Sequence, residues 1–91
     1  MSITICIPSV RKDLNKKYIV DILNKFNFGK IKKIILVPNS YNENTVFIGY
    51  HYWFYNDKNQ EIKKILNNKE CFKIIHEFPW FWKCYKADKQ L

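Results

Sequence analysis

Over residues 2–10 the chain reads SITICIPSV, with Ile3, Ile5 and Ile7 at alternate positions and Thr4 and Cys6 between them. This is the period-two pattern of a strand that turns one face to a core, and Pro8 predicts its end. The period then changes. In LNKKYIVDILNKFNFG, residues 14–29, Ile19, Ile22, Leu23 and Phe26 form one helical stripe. Asn15 is placed as its N-cap, Leu14 and Ile19 as a hydrophobic staple, and Gly29 as its C-terminal stop. KIKKIILV, residues 30–37, is a β-branched run closed by Pro38 and the turn-rich NSYNEN, and predicts a second strand. A third follows in TVFIGYHYW, where Val46, Ile48 and Tyr50 alternate with Thr45, Phe47 and Gly49. NDKNQEIKKILNNKE predicts a second helix, capped by Asp57 or Asn59, with Ile62, Ile65 and Leu66 as a short apolar stripe. The remainder, CFKIIHEFPWFWKCYKA, holds two strand-like pieces on either side of a corner at Glu77, Phe78 and Pro79.

The order is β, α, β, β, α, β, with room for one extra small strand. It predicts one α+β domain over residues 1–91, ferredoxin-like βαββαβ (RRM-like), in which a four-stranded antiparallel sheet carries two helices on one face. Its core is expected to hold Ile5, Ile7, Ile19, Ile22, Leu23, Phe26, Val46, Ile48 and Ile65. The other face of such a sheet must be polar or must bind something.

Composition narrows what that face could meet. With 91 residues, folding buries about two-thirds of the chain's surface, so the core is thin. Sixteen basic residues against eight acidic ones give a net charge of +8. The excess is spread, eight basic against three acidic residues up to Thr45 and eight against five beyond, which describes a basic surface rather than a basic tail. Such a surface attracts polyanions. A/T-rich codon usage is an alternative source of part of this charge, and Arg11 is the sole arginine, which argues against an interface built on bidentate forks.

The chemistry of catalysis is missing from the motifs. Gly29 and Gly49 are too few for a phosphate loop, and no serine, histidine and carboxylate set has recognisable spacing, so no enzyme is expected. Cys6, His51, Cys71, His76 and Cys84 lack the paired spacings of structural zinc, so neither a metal nor another cofactor is expected. An odd cysteine count without CxxC predicts free thiols in a reducing, intracellular compartment. No signal-peptide pattern and no membrane-length apolar run is seen, and no membrane partner is expected.

PWFWKCY, residues 79–85, places Trp80, Trp82 and Cys84 on one side of a strand and Phe81, Lys83 and Tyr85 on the other. Periodicity alone leaves open which side is inside. If the tryptophans plug the core, Phe81, Lys83 and Tyr85 join Thr4, Cys6, Thr45 and Phe47 on the open face.

Open-faced βαββαβ domains include the RNA recognition motif, whose central strands carry base-stacking aromatics. ENTVFIGY, residues 43–50, resembles the second half of that motif's octapeptide through Phe47, Ile48 and Tyr50, and departs from it at Glu43, Asn44, Thr45 and Val46. Cys6, in ICIPSV, stands where the companion hexapeptide usually has an aromatic. Of the usual three platforms one remains, at Phe47. Taken together, TICIPSV, NFGKI, VFIGY and KIIHEFPWFWK resemble a family of small RRM-like proteins encoded by nucleocytoplasmic large DNA viruses, the giant viruses. The resemblance covers nearly the whole chain and is most specific at PWFWK and TICIP. It implies an RRM-like fold, a suspected RNA-binding role and a place in the host cytoplasm or nucleus.

The reading that follows is a non-catalytic module that contacts single-stranded RNA through Phe47, Phe81, Lys83 and Tyr85, with Lys30, Lys32 and Lys33 attracting phosphate. The rival is a protein–protein interaction module in a viral or host complex, using the same aromatic face. The weak octapeptide favours the rival, and charge and fold favour RNA.

Overall fold

Seven elements follow one another among the described residues: β1 (Thr4–Arg11), α1 (Lys16–Phe26), β2 (Gly29–Pro38), β3 (Glu43–Trp53), α2 (Asp57–Asn67), β4 (Phe72–Glu77) and β5 (Trp80–Lys86). The structure is a computed structural model that describes residues 3–88; Ser2, the first residue of the expected first strand, lies outside the described residues. The fold is α+β, with the strands in the order β2-β3-β1-β5-β4 and every neighbouring pair antiparallel. Four strands were expected and five are present. The strand-like pieces on either side of the Glu77–Pro79 corner pair with each other as a hairpin, which places β4 outside β5 as an added edge.

Alternation along the strands sorts the two faces. Ile5, Ile7, Val10, Ile34, Val46, Ile48, Tyr50, Ile74, Trp82 and Cys84 are buried together with Ile19, Ile22 and Leu23 of α1 and Leu66 of α2, so both helices cover the same side. Two expected core members sit differently. Phe26 is half-buried and packs against the core, and on α2 the fully buried residue is Leu66 rather than Ile65.

Helix and strand ends follow local chemistry with three corrections. Asn15 caps α1 as expected, its side chain accepting from the Tyr18 N–H. The C-terminal stop, however, is Asn27, in the left-handed region at φ 55°. Gly29 already belongs to β2, and a Cβ there would lie 2.2 Å from the Tyr52 carbonyl oxygen, so it is the closeness of β3 that requires glycine. The N-cap of α2 is Asn56, neither Asp57 nor Asn59; its extended backbone lets Oδ1 accept the Asn59 N–H at 2.8 Å. Nor does Pro8 end β1. The strand continues to Arg11 through a bulge, with Ile7 opposite Val46 and Val10 opposite Asn44.

Asn59 is fully buried and its Nδ2 donates to the carbonyls of Asn27, Phe28 and Phe54 at 3.1–3.2 Å. It thereby ties α2 to the end of α1, the start of β2 and the exit of β3. Around this point Phe28 stacks on Trp53 at 5.4 Å, meets Phe72 edge-on at 5.5 Å and carries the Lys58 ammonium over its ring at 5.5 Å.

The Tyr50 hydroxyl is buried with no hydrogen-bond partner among the described residues, and burial raises its pKa. An unsatisfied buried hydroxyl costs about 1–3 kcal/mol. Tyr50→Phe is therefore expected to raise the unfolding free energy by about 1 kcal/mol, read as a higher urea midpoint at unchanged m-value. A lower midpoint would show that the hydroxyl is held by a bond formed in solution.

Candidate nucleic-acid interface

The residues left over by the core share the uncovered side of the sheet. Strand register brings four of them into one transverse row: Ile35 opposite Phe47, Phe47 opposite Cys6, and Cys6 opposite Tyr85. Phe47, Cys6 and Ile35 are half-buried, whereas Tyr85 is 36% exposed. Beside this row Lys83 lies opposite Lys73, and Phe81, 39% exposed, lies opposite Ile75. On β2, Lys33 pairs with Gly49 and falls on the same face as Phe47.

Of the tryptophans in PWFWKCY, Trp82 is buried, its ring stacked on His76 at 4.4 Å and edge-on to Tyr18 at 6.4 Å. Cys84 beside it is also buried, and burial pushes its thiol pKa up to about 12. The side bearing Phe81, Lys83 and Tyr85 is thus the outer one. Trp80 does not plug the core; at the hairpin turn it is 61% exposed, because the sheet ends before any helix covers it.

Phe47, Phe81, Lys83, Tyr85 and Lys33 are therefore brought together on one face. Lys30 is not. It pairs with Tyr52 at the start of β2 and lines a groove of about 530 Å³ with Val20, Asn24 and Phe54, on the helix side. Lys32 falls at the irregularity between Ile31 and Lys33 on the outermost strand. The three lysines are close together in sequence, but the irregular pairing of β2 with β3 sets Lys30 beside Tyr52 and Lys33 beside Gly49.

Sequence reasoning missed Lys73, whose ammonium sits 4.6 Å from the centroid of the Phe81 ring. Alternation in FKIIHE puts Lys73 and Ile75 on one side, but only the hairpin register shows which neighbours they meet. It also missed the wall formed by Pro8 and Ser9. The β1–β5 ladder holds two pairs, Ile5 with Lys86 and Cys6 with Tyr85, and then opens at the β1 bulge. Past that point the strands leave a groove of about 270 Å³ lined by Pro8, Ser9, Phe81, Lys83 and Tyr85.

The face offers ring surfaces, three ammonium groups and a shallow groove. Among the described residues no group of three His, Cys, Asp or Glu side chains is arranged to hold a metal ion, and Cys6, Cys71 and Cys84 are unpaired thiols. No helix among them is long and apolar enough to cross a membrane. No protein-family model matches the chain, and neither does any curated protein or solved structure compared with it.

Proposed function

We propose that this chain is a non-catalytic, RRM-like binding module that contacts single-stranded RNA through the uncovered face of its sheet. The observation that carries the reading is the grouping of Phe47, Tyr85 and Phe81 on one face with Lys33, Lys73 and Lys83 between and beside them. Aromatic rings accept unpaired bases of any sequence by stacking, and ammonium groups follow the phosphates. With β4 set aside, the order β2-β3-β1-β5 is that of a ferredoxin-like split βαβ sheet, which supports the RRM-like reading. The scarcity of arginine suits backbone attraction better than base-edge readout. Retention inside the host cell, in cytoplasm or nucleus, goes with this proposal.

Phe47→Ala is expected to weaken binding to single-stranded RNA by about 1–3 kcal/mol with little change in salt dependence, because stacking releases no counterions. Lys83→Ala is expected to lower affinity across sequences and reduce the slope of log K against log salt by about 0.7 to 1. Fluorescence anisotropy over a salt series measures both, after circular dichroism has shown each variant folded. If folded Phe47→Ala binds as the wild type does, or the wild type binds no nucleic acid at low salt, the reading fails.

A second reading, a protein-interaction module, is favoured by a different observation. Phe78, Trp80 and Ile75 are 85%, 61% and 56% exposed on the β4–β5 hairpin, more apolar surface than phosphate attraction needs. It is the reading to pursue if RNA binding is absent.

A further inference from the structure

The rings on the uncovered face are not equivalent, because Phe81 and Tyr85 border a gap in the sheet and Phe47 does not. Pro8 has no N–H to donate to a neighbouring strand, and the extra residue of the bulge throws β1 out of register with β5 after Cys6. The bulge is held from the opposite side. The Pro8 carbonyl accepts from Thr45 Oγ1 at 2.9 Å and from Asn39 Nδ2 at 3.1 Å. Asn39 is fixed in turn, its Oδ1 accepting from the N–H groups of Tyr41 and Glu43. One wall of the groove is thus anchored to β3 by side-chain hydrogen bonds.

The other wall is Phe81. Lys73 occupies the space over its ring at 4.6 Å, so a base arriving at that ring from the lysine side must displace an ammonium ion from a favourable position. On the groove side the lining joins the apolar Pro8 ring and Phe81 to the Ser9 hydroxyl, Lys83 and Tyr85. A flat, partly polar group that carries a negative charge on a short flexible link matches that lining, since the plane can lie against Phe81 while the phosphate meets Lys83.

We infer that the gap between β1 and β5 is a nucleobase pocket, in which one unpaired base of a bound single-stranded RNA inserts between Phe81 and the Pro8–Ser9 bulge while its phosphate meets Lys83. This rests on the RNA-binding reading and deepens it. Phe47 then serves as a surface platform, and Phe81 and Tyr85 line an inserted site.

The test uses the full chain, isotopically labelled, with hexauridylate as the probe. Intermolecular NOEs are expected from base protons to the Phe81 ring and to Pro8 and Ser9. Ser9→Phe fills the groove from an exposed position; it should remove those NOEs, keep contacts at Phe47 and weaken binding about tenfold, as loss of one stacked base does. NOEs confined to Phe47 in the wild type would overturn the pocket and leave the RNA reading standing. Absence of any RNA binding would overturn both. The wild-type NOE map decides the question even where the filled variant does not fold.

Discussion

Trp82→Ala is expected to lower the unfolding free energy by about 3–5 kcal/mol, the range for removing a large buried aromatic and leaving a cavity. The loss should sit near the top of that range. Trp82 is 3% exposed and is the largest side chain in the core, stacked on His76 and edge-on to Tyr18. Its removal also frees the His76 ring, whose Nδ1 lies 3.2 Å from the Tyr18 hydroxyl. For a domain of this size the total is only about 5–13 kcal/mol, so the variant should lose a large share of its stability. Urea unfolding followed by circular dichroism measures it, and a loss below about 1 kcal/mol would mean that the ring is not packed as described. Trp80→Ala, two residues away and exposed, should change stability by less than about 0.5 kcal/mol.

The same contacts set a pH dependence. Desolvation lowers the pKa of His76 from 6.5; Glu77 opposes the shift and Arg11 adds to it. The unfolded chain therefore binds more protons than the folded one as pH falls below 6.5. His76 should contribute no penalty above about pH 6.5 and a growing one as pH falls from there through its lowered folded value. Urea midpoints at about pH 7.5 and about pH 5.5 should differ more for the wild type than for His76→Gln. Equal differences would remove His76 from the account.

Asn59→Leu is expected to cost about 3 kcal/mol or more, although it exchanges a polar residue for an apolar one of similar size in a buried place. The side chain donates to three backbone carbonyls, those of Asn27, Phe28 and Phe54, where two chain reversals and the first turn of α2 converge. Leucine leaves those acceptors without their amide donor, and a melting temperature about 12–24 °C lower follows from the usual scaling for small domains. Asn59→Asp keeps the shape but faces carbonyls with a carboxylate, so it should be at least as damaging. If Asn59→Leu is neutral, the three bonds contribute nothing net and the aromatic cluster alone holds the junction.

Much of the architecture was readable in the chain because it rests on local periodicity. A helical stripe of Ile19, Ile22 and Leu23 and alternating Val46, Ile48 and Tyr50 have one low-energy way to bury their apolar sides, and both sets are buried. Alternation likewise separates Phe81, Lys83 and Tyr85 from Trp82 and Cys84 within the strand itself, but it left the inner side open, and the burial of Trp82 and Cys84 decides it. The helix ends were less legible. Asn, Asp and Gly near a boundary can all cap or stop a helix, and which one does so depends on backbone angles that a neighbouring strand imposes, as β3 does at Gly29.

Relations between segments distant in sequence arise only in the folded chain. Hairpin register placed Lys73 over Phe81, and the irregular pairing of β2 with β3 set Lys30 beside Tyr52 and Lys33 beside Gly49. The groove beside Ser9 depends on the bulge that carries β1 past Pro8, on clamps from Thr45 and Asn39, and on a ladder that stops after two pairs. None of these has a local signature. Which residues want to be buried, and with what period, is written in the order of the side chains, since that preference belongs to each of them. Which exposed residues become neighbours was decided by register and strand order, which arise only when the whole sheet closes around its core.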